Sequence, residues 1–554
     1  MMHARNGVAL GRSHSTGLSF PSSSLPGCCH GWLSSANSHS GRRAASTTSS
    51  PVCLSQHASA YLTDFLTHHM APVALTVGSP TLAAFSLALT AVNTRWVYSR
   101  FSVIEYPNHR NAAKALIYLQ QAPLHITTRD GLLASLIVLP ENDRWWECLI
   151  DRVEHNHTWT IAAATSIAWV LIAFVFTIVD SFMNLGKNVN SNGQGVGSLW
   201  LWLVPIVVGW LWTPACSYDR LKTAIDRAND IAFVAAPDPP PQIDGTRDPP
   251  NANGYPPKAN PPRHAYDVSR IQAVRMSEKA EVFTIDATRT APVFNYARIW
   301  EWWRTVEMIA SAFERAGENA KGHTCVNPTR GWVLLPDKGP AVHRDNRTGT
   351  IREVQAYCAL RGGEEFLQPT PPGVWKRIFV ASAFALGLQW ATTCAAAIIV
   401  LFTPTTGLGC RSGSYILYGI VSTMIWLGLL LSSYLAHFAK VRHDHGVPRA
   451  GLNIVTVAEG LSTFLRRLSI MAAGCNTLCI ILACVFQFSN FYSTCYCNSS
   501  VLGRGGQHAY NIIAAGFDYD QMKAAWIGGV VLAGGSVFVY LFFLHLMLEP
   551  SHDD

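Results

Sequence analysis

TWTIAAATSIAWVLIAFVFTIV, residues 158–179, holds no charged side chain, and its reading decides the fold. The hydrocarbon core of a bilayer is crossed by about 20 helical residues, and a helix satisfies every backbone N–H and C=O within itself. An uncharged apolar run of this length therefore predicts a membrane span, here at 159–183. Outward from it, the same test picks out 378–403, 415–438, 468–488 and 524–548. It also picks out 199–213, which is short but carries Trp200 and Trp202 at one end and Trp210 and Trp212 at the other, as interfacial aromatic belts do. A weaker candidate, 71–94, is interrupted by Pro72 and Pro80. Only 14% of the 554 residues are charged, against about 25% in an average soluble domain. The sequence thus predicts an all-α membrane protein of about seven transmembrane helices, with a disordered N-terminal tail and a large cytoplasmic insert between helices 3 and 4.

The domain plan follows. Residues 1–70 read as a disordered tail: the stretch is rich in Ser, Gly and His, and no acid precedes Asp64. A mitochondrial transit peptide fits the composition, but Arg is sparse and no amphipathic period is visible. Residues 71–215 carry helices 1–3 around a basic loop, 95–158. Residues 216–376 form the insert, residues 377–548 carry helices 4–7, and 549–554 are a short tail. Ten prolines between Pro237 and Pro262 make 235–263 an extended linker. Tyr296, Ile299, Trp300, Trp303, Val306, Ala310 and Phe313 recur at helical spacing, which predicts an amphipathic helix at about 295–317. Two readings of it stand: a helix lying in the membrane interface, and a helix packed on the insert's own small core.

Lys and Arg are retained on the cytoplasmic side of a membrane protein. The first loop holds seven: Arg95, Arg100, Arg110, Lys114, Arg129, Arg144 and Arg152. The second holds only Lys187. The insert begins with Arg220, Lys222 and Arg227 and ends with Lys376 and Arg377. The fourth loop holds only Arg411, the fifth Lys440, Arg442, Arg449, Arg466 and Arg467, and the sixth Arg504 and Lys523. This alternation places loops one, three and five and the C-terminus in the cytoplasm, in a plasma membrane or a secretory-pathway membrane. Of the N-glycosylation triplets, those at Asn156 and Asn346 then face the cytoplasm and stay silent, while Asn498 faces outward and is the acceptor site. Cys410, Cys495 and Cys497 share that oxidising side, so a disulfide from Cys410 to Cys495 or Cys497 would tie two loops together.

Chemistry-bearing motifs fail on context. His343-Arg-Asp345-Asn lacks the rest of a kinase site. Gly193-Gln-Gly195-Val-Gly197 falls between spans and reads as a flexible turn. His443-Asp-His445 and His155-Asn-His157 have no further ligands, so no metal site, cofactor or catalytic set is expected. No basic stripe with interleaved aromatics suggests nucleic acid. The intramembrane polar candidates are Asp180, near the outer end of its span, and Gln389, Asn476 and Gln487, neutral groups able to bond between helices. Small residues mark two close-packing faces: Gly387, Ala391 and Ala395 on the fourth span, and Ala525, Gly529 and Ala533 on the seventh.

His155-Asn-His-Thr-Trp-Thr160, Asn190-Ser-Asn-Gly-Gln-Gly-Val-Gly-Ser-Leu-Trp200 and Thr405-Thr-Gly-Leu-Gly-Cys-Arg-Ser412 resemble the loops of a group of fungal multi-pass membrane proteins without an assigned activity. The resemblance covers roughly residues 95–548 and implies a membrane fold, with no catalytic or binding residue. Three functions stay open besides a membrane enzyme: a small-molecule transporter or export accessory, a scaffold that docks a protein partner through the insert, and a seven-helix receptor. The lipid bilayer is the one partner the sequence specifies, and the small-molecule ligand is unknown.

Overall fold

A computed structural model describes residues 71–122, 124–128, 131–154, 161–183, 192–213, 218–237, 273–276, 285–289, 291–334, 342–360, 373–403, 407–444, 453–489 and 519–549. All belong to one compact unit, Asp64–Asp554. The tail at 1–70, nearly all of the linker at 235–263, and Asn156, Cys495, Cys497 and Asn498 lie outside the described residues.

The protein is a multi-pass membrane protein. Among the described residues, five helices are long and apolar enough to cross a bilayer: Gln194–Trp212, Val374–Leu401, Cys410–His443, Ile454–Phe488 and Met522–Leu548. A sixth crossing results if the bent pair Ala71–Gly78 and Pro80–Ser102 counts as one span. In chain order the described helices are α1 (Ala71–Gly78), α2 (Pro80–Ser102), α3 (His109–Tyr118), α4 (Leu132–Val138), α5 (Asp143–Val153), α6 (Ile161–Met183), α7 (Asn192–Trp200), α8 (Leu203–Trp212), α9 (Tyr218–Asn229), α10 (Asn295–Lys321), α11 (Ile351–Tyr357), α12 (Val374–Leu401), α13 (Cys410–Asp444), α14 (Ile454–Phe488) and α15 (Tyr519–Leu548). Strands β1 (Leu124–Ile126) and β2 (Val274–Met276) form one antiparallel pair.

The centre of the bundle is α2, from the least apolar of the sequence candidates. Every residue from Pro80 to Ala91 is buried, chiefly against α12, α15, α13 and α8. A helix enclosed by other helices meets protein instead of lipid, so it tolerates polar residues that have partners. Ser86 Oγ donates to the Val293 carbonyl at 3.2 Å. The Asn295 amide donates to Thr90 Oγ1 at 2.7 Å, and that of Gln120 to Thr94 Oγ1 at 3.2 Å. By contrast α6, the most clearly apolar stretch of the sequence, is peripheral: Trp169 is 70% and Phe176 67% exposed, and its apolar part, Ile167–Met183, is too short to count among the crossing helices. The reading of 193–197 as a flexible turn is corrected, since α7 runs through it. Its glycines permit close packing: a Cβ on Gly197 would lie 2.7 Å from the Phe174 ring, and one on Gly195 3.1 Å from Val400.

The small-residue faces are brought together in part. Ala395 and Ala533 are fully buried between α12 and α15, and a Cβ on Gly529 would come within 3.2 Å of the Ala395 carbonyl. Ala391 and Ala525 are half-buried. Gly387 is exposed with open space around it, so the packed stripe of α12 is instead Ala381, Ala385, Leu388 and Ala395.

At one end of the bundle sits a single extramembrane domain, not a basic loop plus a separate insert. Its core is shared: Ala113, Leu133, Trp145 and Leu149 from the first stretch pack with Leu221, Val306, Phe313 and Val354 from the second. The polar chemistry that joins them explains why neither stands alone. Arg347 donates to both Asp143 carboxylate oxygens, at 2.8 and 2.6 Å, and to the Val138 carbonyl at 2.9 Å. Burial alone would weaken the hold of this guanidinium on its proton, but the Asp143 pairing outweighs it and raises the pKa. Breaking a bidentate pair with one buried partner costs about 2–4 kcal/mol. Arg347→Gln is therefore expected to lower the thermal unfolding midpoint of the detergent-solubilised protein by several degrees, while Arg315→Gln, at an exposed pair, leaves it unchanged. The adjacent Asn346 is 1% exposed, its amide bonded to the Val333 N–H and carbonyl at 2.9 and 2.8 Å.

The helix predicted at about 295–317 is α10, which runs four residues further, and its packing differs from both readings. Its amino end (Tyr296, Ile299, Trp300) packs in the core of the bundle, and the remainder (Trp302, Val306, Ile309, Phe313) packs in the shared extramembrane core. Helix α2 also runs through both cores, with Leu82–Ala91 in one and Val97 and Phe101 in the other. These two helices join domain to bundle. Arg100 of α2 pairs with Glu307 and Glu314 of α10 at 3.3 and 2.7 Å, and Lys440 of α13 pairs with Glu301 of α10 at 2.9 Å.

Candidate functional site at the helix break

The chain turns by 98° between α1 and α2, at the triplet Gly78-Ser79-Pro80. Proline begins α2 because it has no N–H to leave unbonded there, and Ser79 Oγ caps the helix by accepting from the Leu82 N–H at 3.3 Å. Gly78 ends α1 because nothing larger fits: a Cβ there would lie 2.2 Å from the Ala473 carbonyl oxygen. The break lies well within the bundle. Its partner Gln389 is 12 residues beyond Arg377 in α12, or ~18 Å at ~1.5 Å per residue.

A broken helix within a membrane frees backbone groups that must find partners in the protein. Here side chains of other helices supply them. On α14, Asn476 Nδ2 donates to the Gly78 carbonyl at 2.7 Å, and Thr477 Oγ1 to the Ala74 carbonyl at 2.9 Å. On α13, the Tyr418 hydroxyl donates to the Val77 carbonyl at 2.6 Å. On α12, Gln389 Oε1 accepts from the Thr81 N–H at 3.2 Å, from the Thr81 hydroxyl, and from Ser422 Oγ at 2.6 Å. The Gln389 amide nitrogen donates to the Gly419 carbonyl at 3.1 Å, and Ser79 Oγ to the Ser422 carbonyl at 2.9 Å. Ser79, Thr81 and Ser422 are fully buried, and Gln389 is 1% exposed. The result is a node of uncharged amide and hydroxyl groups with the amino end of α2 in its centre. Such a node can bind a neutral polar solute by hydrogen bonds; it offers no carboxylate or imidazole for proton transfer among the residues named.

The sequence-derived polar residues divide around it. Gln389 and Asn476 are both in the node. Gln487 is buried near the end of α14, 11 residues further along, and Asp180 is exposed on α6. Ser79, Thr81, Tyr418, Ser422 and Thr477 were not singled out from the sequence, although Gly-Ser-Pro inside an apolar run is a breaker signal. Cys410 is disulfide-bonded, and its partner lies outside the described residues. No group of His, Cys, Asp or Glu among the described residues could hold a metal ion. No protein-family model, curated protein or solved structure matches the chain.

Proposed function

We propose that this chain is a transporter or export accessory for a small, polar, uncharged molecule, with the α1–α2 break as its moving part. The observation that carries the reading is the 98° break at the bundle centre, bonded by side chains from three other helices. Transporters place their sites at such discontinuous helices near the bilayer midplane. The short arm α1 can swing about the break where a continuous helix cannot, and exchange of these hydrogen bonds for those of a solute makes the motion inexpensive. The remaining assignments belong to the same reading: seven spans with α6 as one of them, the extramembrane domain and C-terminus in the cytoplasm, and Asn498 outside and glycosylated.

A second reading, a scaffold that docks a partner through the extramembrane domain, is favoured by the closure of the node: its polar groups are bonded to one another. Water access separates the two. Thr81→Cys and Ser422→Cys, each challenged in sealed vesicles with a membrane-impermeant thiol reagent, are expected to react above the parent background if the node opens to solvent. Labelling no faster than the parent from either side would refute the transport reading and leave the scaffold.

A further inference from the structure

A second cluster, at the end of the bundle nearest the extramembrane domain, has more positive charge than its surroundings neutralise. Asp286 is fully buried and both its oxygens are occupied: Oδ1 accepts from Arg466 of α14 at 3.0 Å, and Oδ2 from the Tyr296 hydroxyl at 2.6 Å. Two further guanidinium groups adjoin it without a carboxylate of their own among the described residues. Arg298, 3% exposed, donates only to neutral oxygens, the Arg289 carbonyl and Asn295 Oδ1, the latter at 2.5 Å; its Nε is buried without a partner. Arg289 lies over the Phe294 ring at 5.0 Å, which holds the plane of the guanidinium, and its buried Nη1 likewise has no partner. Burial pulls the Arg298 pKa down to about 9, and the nearby Asp286 and Tyr296 offset only part of that pull. The amino end of α10, where these residues converge, has neither a side-chain cap nor an acid in its first turn. Its helix dipole therefore adds to the positive field.

We propose that Arg289, Arg298 and Arg466 form a binding site for a phosphate monoester, carried by a lipid headgroup or free in solution. Planar guanidinium groups match phosphate oxygens in pairs, the buried Arg298 Nε and Arg289 Nη1 are donors without a partner, and a doubly charged group would neutralise the net charge of the cluster. Arg466, its side chain 14% exposed, gives the approach from the bundle end. This inference does not rest on the transport reading, since the cluster and the helix break share no residue.

The test uses the full-length protein in detergent, with thermal unfolding followed in mixed micelles of phosphatidic acid or phosphatidylcholine, and in inorganic phosphate against chloride at equal ionic strength. Phosphatidic acid is expected to raise the unfolding midpoint by several degrees and phosphatidylcholine to leave it in place. A rise with the lipid alone assigns the headgroup as the source, and a rise with inorganic phosphate also assigns a free ligand. The shift should vanish in Arg298→Gln and in the half-buried Arg289→Gln, which serves if the first fails to fold, and should persist in Arg315→Gln. No rise with either phosphate, or a rise unaltered in Arg289→Gln, overturns the proposal.

Discussion

Gly78→Val is expected to abolish the native packing of α1, because the added carbon meets backbone that cannot move aside. The first Cβ atom alone would lie 2.2 Å from the Ala473 carbonyl oxygen, 2.8 Å from its carbon and 2.8 Å from Thr477 Oγ1. Rotation of a side chain relieves only the last of these, so α1 must lift away from α14. That motion removes the donors from Asn476, Thr477 and Tyr418 and leaves the carbonyls of Gly78 and Val77 unbonded. Overpacking costs about 1–3 kcal/mol and each orphaned buried carbonyl about 1–3 kcal/mol more, a sum that rivals the whole stability of many proteins. The matched control is Gly474→Val on α14, beside Ala473, where a Cβ meets nothing within 4 Å. Gly78→Val should show little folded material on size exclusion while Gly474→Val behaves as the parent does. Equal behaviour of the two would mean that α1 does not sit on α14.

Asp286→Ala is expected to have the next largest effect. Among the described residues, the carboxylate is the one acid bonded to Arg466 and the one acceptor for the Tyr296 hydroxyl. Tyr296 is held protonated, well above the ordinary phenol range, by burial first and by Asp286 second, so its need for an acceptor persists at every working pH. Removal of one partner from a buried ion pair costs about 3–5 kcal/mol, since the other charge is left uncompensated. Removal of both costs less: Asp286→Ala with Arg466→Met should be more stable than Asp286→Ala alone. A double variant no more stable than the single one would indicate that the pair is not coupled.

Much of the bundle was legible because lipid contact leaves a direct record in composition. The ranking of the spans was not. Runs such as 159–183 read clearly because α6 leaves most of its side chains exposed, whereas 71–94 read poorly because α2 is enclosed by other helices. Ser86, Thr90 and Thr94 look unfavourable in a hydropathy window, yet each is bonded to a side chain or carbonyl distant in sequence. The same distance hid the shared extramembrane domain: Asp143 and Arg347 meet although 204 residues separate them. Gln389 and Asn476 stood out as lone amides in apolar helices, and the node contains both. Serine, threonine and tyrosine are common in membrane helices, so Ser79, Thr81, Tyr418 and Ser422 carried no comparable signal. The Arg289, Arg298 and Arg466 cluster was equally out of reach, since a charge count per loop takes no account of which guanidinium groups fold together.

Everything hinges on α2 and α10 binding both extramembrane stretches and the bundle into one body, with 95–154 and 218–360 on the same face of the bilayer. Single cysteines at Arg152 and Arg315, both exposed, read this directly when an impermeant maleimide is added to sealed vesicles of one orientation. Both positions should be labelled together in one orientation and both protected in the other. Labelling of one from each face would contradict the shared domain and the membrane topology with it.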